Sequence, residues 1–169
     1  GGVDLPQAEG EAGGGSRSLV AHGSRHDRGR AKGEEGYYHL VLLARDREGY
    51  ANLTKLSSIG FKEGFYFKPR IDREVLAAHS KGLIVTSACL AGEVARNLME
   101  DRWDAARETA AWYAELFEGR YFLEVQAHES DGQRELNRRI LTLADEVGLP
   151  VVATNDAHFL RSGDHRAHA

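Results

Sequence analysis

RYFLEVQAHESDGQRELNRRILTLADEVGLPVVATNDAHF, residues 120–159, decides the fold. It opens on a run of strand formers, RYFLEVQ (120–126), and continues through a helical stretch from about Gln133 to Val147. Gly148 then stands where a left-handed helix end wants a glycine, and the apolar run PVVAT (150–154) follows at once. Two apolar runs joined by a helix of this length predict parallel strands linked by a right-handed crossover. The alternation repeats upstream. HLVLLA (39–44) reads as a buried strand, followed by a helix over 47–59 with Tyr50, Leu53, Leu56 and Ile59 at helical spacing. LIVTSA (83–88) is another strand, preceded by a short helix after Asp72. A further helix runs from about Trp103 to Phe117 and stops by Gly119. The expectation is an α/β fold of about four parallel strands with covering helices, an open part of a barrel or sheet.

Residues 1–36 differ. They hold 10 of the 19 glycines and no sustained apolar period, and they read as a glycine-rich, mostly disordered stretch before a folded region at 37–169. A chain of 169 residues has room for one core. No apolar run approaches the length of a membrane span. A formal net charge of −4 gives no global field to attract nucleic acid, so any such contact must be local. The lone Cys89 excludes an internal disulfide and, beside eight histidines, suits a reducing, cytoplasmic setting and a nitrogen-and-oxygen metal site better than a cysteine cage. The chain opens Gly1-Gly2 without an initiator methionine and ends at Ala169 in what reads as the start of another element, the pattern of a fragment.

In parallel α/β folds reactive groups gather where strands end and loops begin. The last strand runs into Asn155-Asp156-Ala157-His158, and residues two apart in an extended segment point the same way, so Asp156 and His158 can share one metal ion. The same letters also suit a turn in which Asn155 and Asp156 cap the next helix. Glu124 and Gln126 stand in line on the third strand with His128 just past them, positions fit for side chains that support a metal ligand. Cys89 follows the second strand, where a small buried thiol is the ordinary reading. His39 opens the first strand instead of closing it and reads as a core histidine. In GFYFKPRID (64–72) three aromatics interleave with Lys68 and Arg70, a pattern that stacks bases and holds phosphates, while Pro69 and Asp72 equally make a stop-and-cap turn.

YYHLVLLARDREGYANLTKLSSIGFKEGFYFKPRIDREVL, GLIVTSACLAGEV, RYFLEVQAH and GLPVVATNDAHF, in that order and spacing, closely resemble the PHP (polymerase and histidinol phosphatase) domain of bacterial DNA polymerase III alpha subunits, over about residues 20–169. KPRIDREVL after the aromatics is similar to the DnaE type. The resemblance implies an incomplete (β/α)7 PHP barrel whose complete form binds zinc or manganese through nine ligands. It implies that His39, Cys89, Asp156 and His158 are metal ligands, with Glu124, His128, Lys68 and Arg70 as supporting or phosphate-contacting residues. It implies a DNA-directed DNA polymerase as the parent protein, a phosphoesterase or 3′–5′ exonuclease role for the module, and DNA and other polymerase III subunits, the proofreading exonuclease among them, as partners. A non-catalytic platform that docks that exonuclease is the alternative, and a stand-alone phosphatase of the superfamily the more remote one. Two departures stand out. The family's H-x-H-S and T-D-H-G segments are absent, and Arg17 falls where the family has a ligand glutamate. With four of nine ligands kept, the expectation is that these residues alone bind metal weakly and have no nuclease activity.

Overall fold

A computed structural model describes residues 15–29, 36–128 and 130–155. The element order is β1 (Gly15–Ala21), β2 (Tyr37–Ala44), α1 (Arg47–Lys62), α2 (Arg73–Ala78), β3 (Leu83–Thr86), α3 (Glu93–Met99), α4 (Trp103–Leu116), β4 (Tyr121–Gln126), α5 (Asp131–Val147) and β5 (Val151–Thr154). The fold is mixed α/β. Two compact units divide the chain. The first takes residues up to Val85 together with Leu116–Arg120, the second Thr86–Glu115 together with the residues from Tyr121 onward.

In the first unit β1 and β2 pair antiparallel, with Leu19 opposite His39. On its other side β1 meets Ile71: the Ile71 N–H donates to Leu19 O at 2.8 Å and the Ala21 N–H donates to Ile71 O at 2.7 Å. Helix α1 starts where the Asp46 carboxylate accepts from the Gly49 N–H, and it buries Leu53 and Leu56 on the side that packs against β2. Its first turn lies so close to the entry of β3 that a Cβ on Gly49 would overlap the Gly82 carbonyl, which accepts from the Arg45 N–H at 2.8 Å. Gly82 itself has a φ of 69°. Only glycines allow this approach.

The second unit is built on the crossover β4-α5-β5. Its strands pair in parallel, from Leu123 opposite Val151 to Gln126 opposite Thr154. Helix α5 is capped by Ser130, whose hydroxyl accepts from the Gln133 N–H, and ends at Gly148 in the left-handed conformation. Leu136, Ile140, Leu143 and Ala144 form its buried stripe, which packs on β4 and α3. Tyr121 on β4 stacks on Tyr113 of α4 at 5.2 Å between ring centroids. Burial pushes the Tyr121 hydroxyl well above the ordinary phenol range.

The four strands expected from the sequence all form, and β4 and β5 are parallel as expected. Two elements were not foreseen. Strand β1 lies inside the glycine-rich stretch and makes the pairing next to it antiparallel. Its apolar content is confined to Leu19, Val20 and Ala21 after the polar Ser16-Arg17-Ser18, too short a run to signal a strand. Helix α3 is seven residues long and begins at Gly92 with no side-chain cap, so it lacks a start signal. Among the described residues no helix is long and apolar enough to cross a membrane.

Candidate functional site

The second unit gathers polar side chains at the ends of its strands. Leaving β3, Thr86 and Ser87 are buried at 6% and 3% exposure; Glu124 and Gln126, two apart on β4, are each 4% exposed. The two-residue spacing puts both β4 side chains on one face, away from Tyr121 and Leu123. A buried carboxylate must be hydrogen-bonded or neutralised. Glu124 meets this with neutral donors. The Thr86 hydroxyl donates to its Oε2, the Thr154 hydroxyl donates to its Oε1 at 2.6 Å, and Gln126 Nε2 donates to Oε1 at 3.0 Å. Its own N–H donates to the Ser87 hydroxyl at 2.8 Å. One carboxylate thus joins residues from three strand ends.

Helix α5 braces the network from the side. Asn137 Nδ2 donates to the Gln126 carbonyl at 2.8 Å, its Oδ1 accepts from the Gln126 N–H at 3.2 Å, and Gln133 Nε2 donates to the same Oδ1 at 2.9 Å. The Asn137 amide therefore does for the end of β4 what a neighbouring strand would do. Polar residues one turn apart beside an apolar helical stripe are the signal that points to such a brace.

Cys89 is half-buried on the loop that follows, and that loop has little freedom. The Gly92 N–H donates to Cys89 O at 2.8 Å, and a Cβ on Gly92 would overlap the Ser87 carbonyl. Ala88 is held at a φ of 60°, a conformation that costs a non-glycine residue energy and is kept by the surrounding structure. His39 lies in the first unit, half-buried on β2, its ring stacked on Tyr37 at 6.2 Å. His128 is exposed just beyond β4. Asp156 and His158 lie outside the described residues, directly after Thr154 and Asn155. Among the described residues no three His, Cys, Asp or Glu side chains form a group able to hold a metal ion.

The two cations of the aromatic segment part company. Lys68 is exposed. Arg70, expected to contact phosphate, is 1% exposed, and its guanidinium donates to the carbonyls of Gly64 at 3.2 Å, Arg25 at 3.3 Å and Asp27 at 2.8 Å while lying 5.2 Å from the Tyr66 ring centroid. It pins loops together. Asp72 takes the capping role, accepting from the Val75 N–H, and is also gripped by Arg25 through its N–H at 2.8 Å and its Nη1 at 3.1 Å. Burial works against the Asp72 carboxylate, but these hydrogen bonds and the Arg25 charge outweigh it and hold the group below its ordinary range.

The family model described as PHP domain matches residues 12–128. Proteins named DNA polymerase III subunit alpha are similar over most of the chain. The one from Deinococcus radiodurans is 50% identical over 147 residues, covering 86% of this chain and 11% of the relative; that from Thermus aquaticus is 45% identical over 155 residues, covering 91% and 13%. The one from Chlamydia trachomatis is 39% identical over 175 residues, covering 91% and 14%. The chain thus spans between 11% and 14% of the length of these relatives.

Proposed function

The chain belongs to the PHP domain family, and from that premise we propose that it is the PHP portion of a DNA polymerase III alpha subunit, working in the cytoplasm with DNA and the other polymerase subunits. The observation that carries the reading is the 50% identity over 86% of the chain to a protein of that name. In this reading the strands belong to a (β/α)7 barrel, and His39, Cys89, Asp156 and His158 are the retained ligands of a zinc or manganese site. A thiol, two imidazoles and a carboxylate suit zinc well. A bound divalent ion supplies a water of lowered pKa and charge neutralisation at a phosphoryl oxygen. The chain's own part is positioning. Glu124 holds Thr154, two residues before Asp156, against the end of β4, and the braced Cys89 loop fixes where the thiol is offered.

Nuclease activity is not assigned to these 169 residues by themselves. Arg17, an exposed cation on β1, stands where the family carries a ligand glutamate, and a cation opposes metal binding. Metal affinity depends on a full, preformed ligand set. A purified sample with 3′-labelled single-stranded DNA and manganese or zinc is expected to leave the DNA intact. Degradation from the 3′ end that disappears on Asp156→Ala contradicts this. The polymerase assignment is tested separately by the gene itself: an H-x-H-S segment encoded upstream and a polymerase palm downstream support it, and an unrelated downstream reading frame removes it.

A further inference from the structure

The turn between α1 and α2 has a shape that burial does not explain. Phe61, Phe65 and Phe67 are 61%, 52% and 81% exposed. Phe67 has a φ of 59°, a conformation that bulky residues rarely adopt. The turn is nonetheless fixed from beneath: the Tyr66 N–H donates to Lys68 O at 3.0 Å, and Arg28 and Arg70 hold their guanidinium carbons 5.9 Å and 5.2 Å from the Tyr66 ring centroid. Arg28 also donates to Glu63 O at 2.7 Å. With Tyr66 held in this way, Phe67 is turned out at 4.6 Å from the Tyr66 ring, edge to face. Phe61 at the end of α1 and Phe65 just beyond it lie 6.4 Å apart between ring centroids, with planes 26° apart.

Beside these rings runs a groove of ≈ 290 Å³ between β1 and α1. Phe61, Lys68 and Pro69 form one wall, Arg17 lies on the β1 side, and Leu19, Leu56 and Ile71 contribute apolar surface. Among the described residues two cations and three serines line the groove, and no carboxylate does. Glu63, the acidic residue nearest the rings in sequence, is engaged by Arg25 Nε at 2.8 Å. Exposed flat rings next to a largely apolar channel edged by Lys68 match a ligand that alternates flat apolar faces with anions. A duplex hides its base faces; a single strand offers them.

We propose that the Phe65–Phe67 turn and the adjoining groove bind single-stranded nucleic acid, bases stacking on Phe61, Phe65 and Phe67 and a phosphate meeting Lys68. The site lies wholly in the first unit and uses none of the Glu124 network, so it stands or falls independently of the assignment made above. Fluorescence anisotropy of a short labelled oligothymidylate, titrated with the whole chain at low salt, measures it. Phe67→Gly removes the ring while suiting the positive φ, and it is expected to weaken binding about tenfold; Phe67→Tyr keeps the ring and is expected to bind like the parent. Phe65→Ala gives a second, independent loss, and Lys68→Ala is expected to reduce the slope of log affinity against log salt by about 0.7. Circular dichroism melts confirm that each variant is folded. Absence of oligonucleotide binding overturns the proposal, as does binding that Phe67→Gly and Phe65→Ala leave unchanged, or an equal affinity for duplex. A surface that docks a protein instead gives the first of these results.

Discussion

Two carboxylates are buried to the same depth in this chain, Asp72 in the first unit and Glu124 in the second, each 4% exposed, and they are held in opposite ways. Asp72 is met by charge: the Arg25 guanidinium lies 3.1 Å away, and Arg25 reaches on to Glu63 and Glu74. Glu124 is met, among the described residues, by neutral donors from Thr86, Thr154 and Gln126. The first arrangement sets a cation directly against the carboxylate and serves to fasten one loop to another. The second spends its hydrogen bonds on aligning the strand ends. Equal burial therefore does not mean equal role, and the choice of partners separates a fastener from a support.

Removing each carboxylate's arrangement tests that difference. Glu124→Ala strands three donors at once, two of them buried, and is expected to cost about 3 kcal/mol in urea unfolding. A loss below about 1 kcal/mol would mean that the donors find water, and that the network is looser than the geometry says. Arg25→Ala leaves Asp72 the Val75 and Arg25 backbone N–H groups, so a smaller loss of about 2 kcal/mol is expected. This change also alters pH dependence. The folded-state pKa of Asp72 lies below its unfolded value, so its contribution is present above about pH 4 and disappears as pH falls through the folded pKa. Acid unfolding followed by circular dichroism is expected to show a weaker acid-linked loss in Arg25→Ala than in the parent; equal slopes would remove Asp72 as the source. Thr154→Val takes one donor from Glu124 and is expected to cost about 1 kcal/mol. Arg134→Ala, which breaks only the exposed pair with Asp131, is expected to leave the urea midpoint unchanged.

The sequence made the strands and long helices legible where apolar period and caps agreed, as in α5 with Ser130 before it and Gly148 after. It hid β1 and α3 because a three-residue apolar run and an uncapped seven-residue helix carry no period to read. The alignment of Glu124 with Gln126 was legible through the two-residue repeat of a strand. Their partners were not. Thr86 and Thr154 are 38 and 30 residues away from Glu124, and threonine is an ordinary strand residue, so nothing local distinguishes a hydroxyl aimed at a carboxylate from one that faces solvent. The partners of Arg70 were hidden for a related reason. A cation beside aromatics reads as a surface anion contact, yet guanidinium donors suit backbone carbonyls equally well, and three of them keep this one inside.

The support role of Glu124 rests on direct coupling between its carboxylate and the end of β5, which a double-mutant cycle of Glu124→Ala and Thr154→Val measures by urea unfolding. With the carboxylate gone, the Thr154 hydroxyl has nothing to donate to at that position, so Thr154→Val should cost almost nothing in the Glu124→Ala background, giving a coupling of about 1 kcal/mol or more. Additivity of the two changes to within about 0.3 kcal/mol would contradict the account.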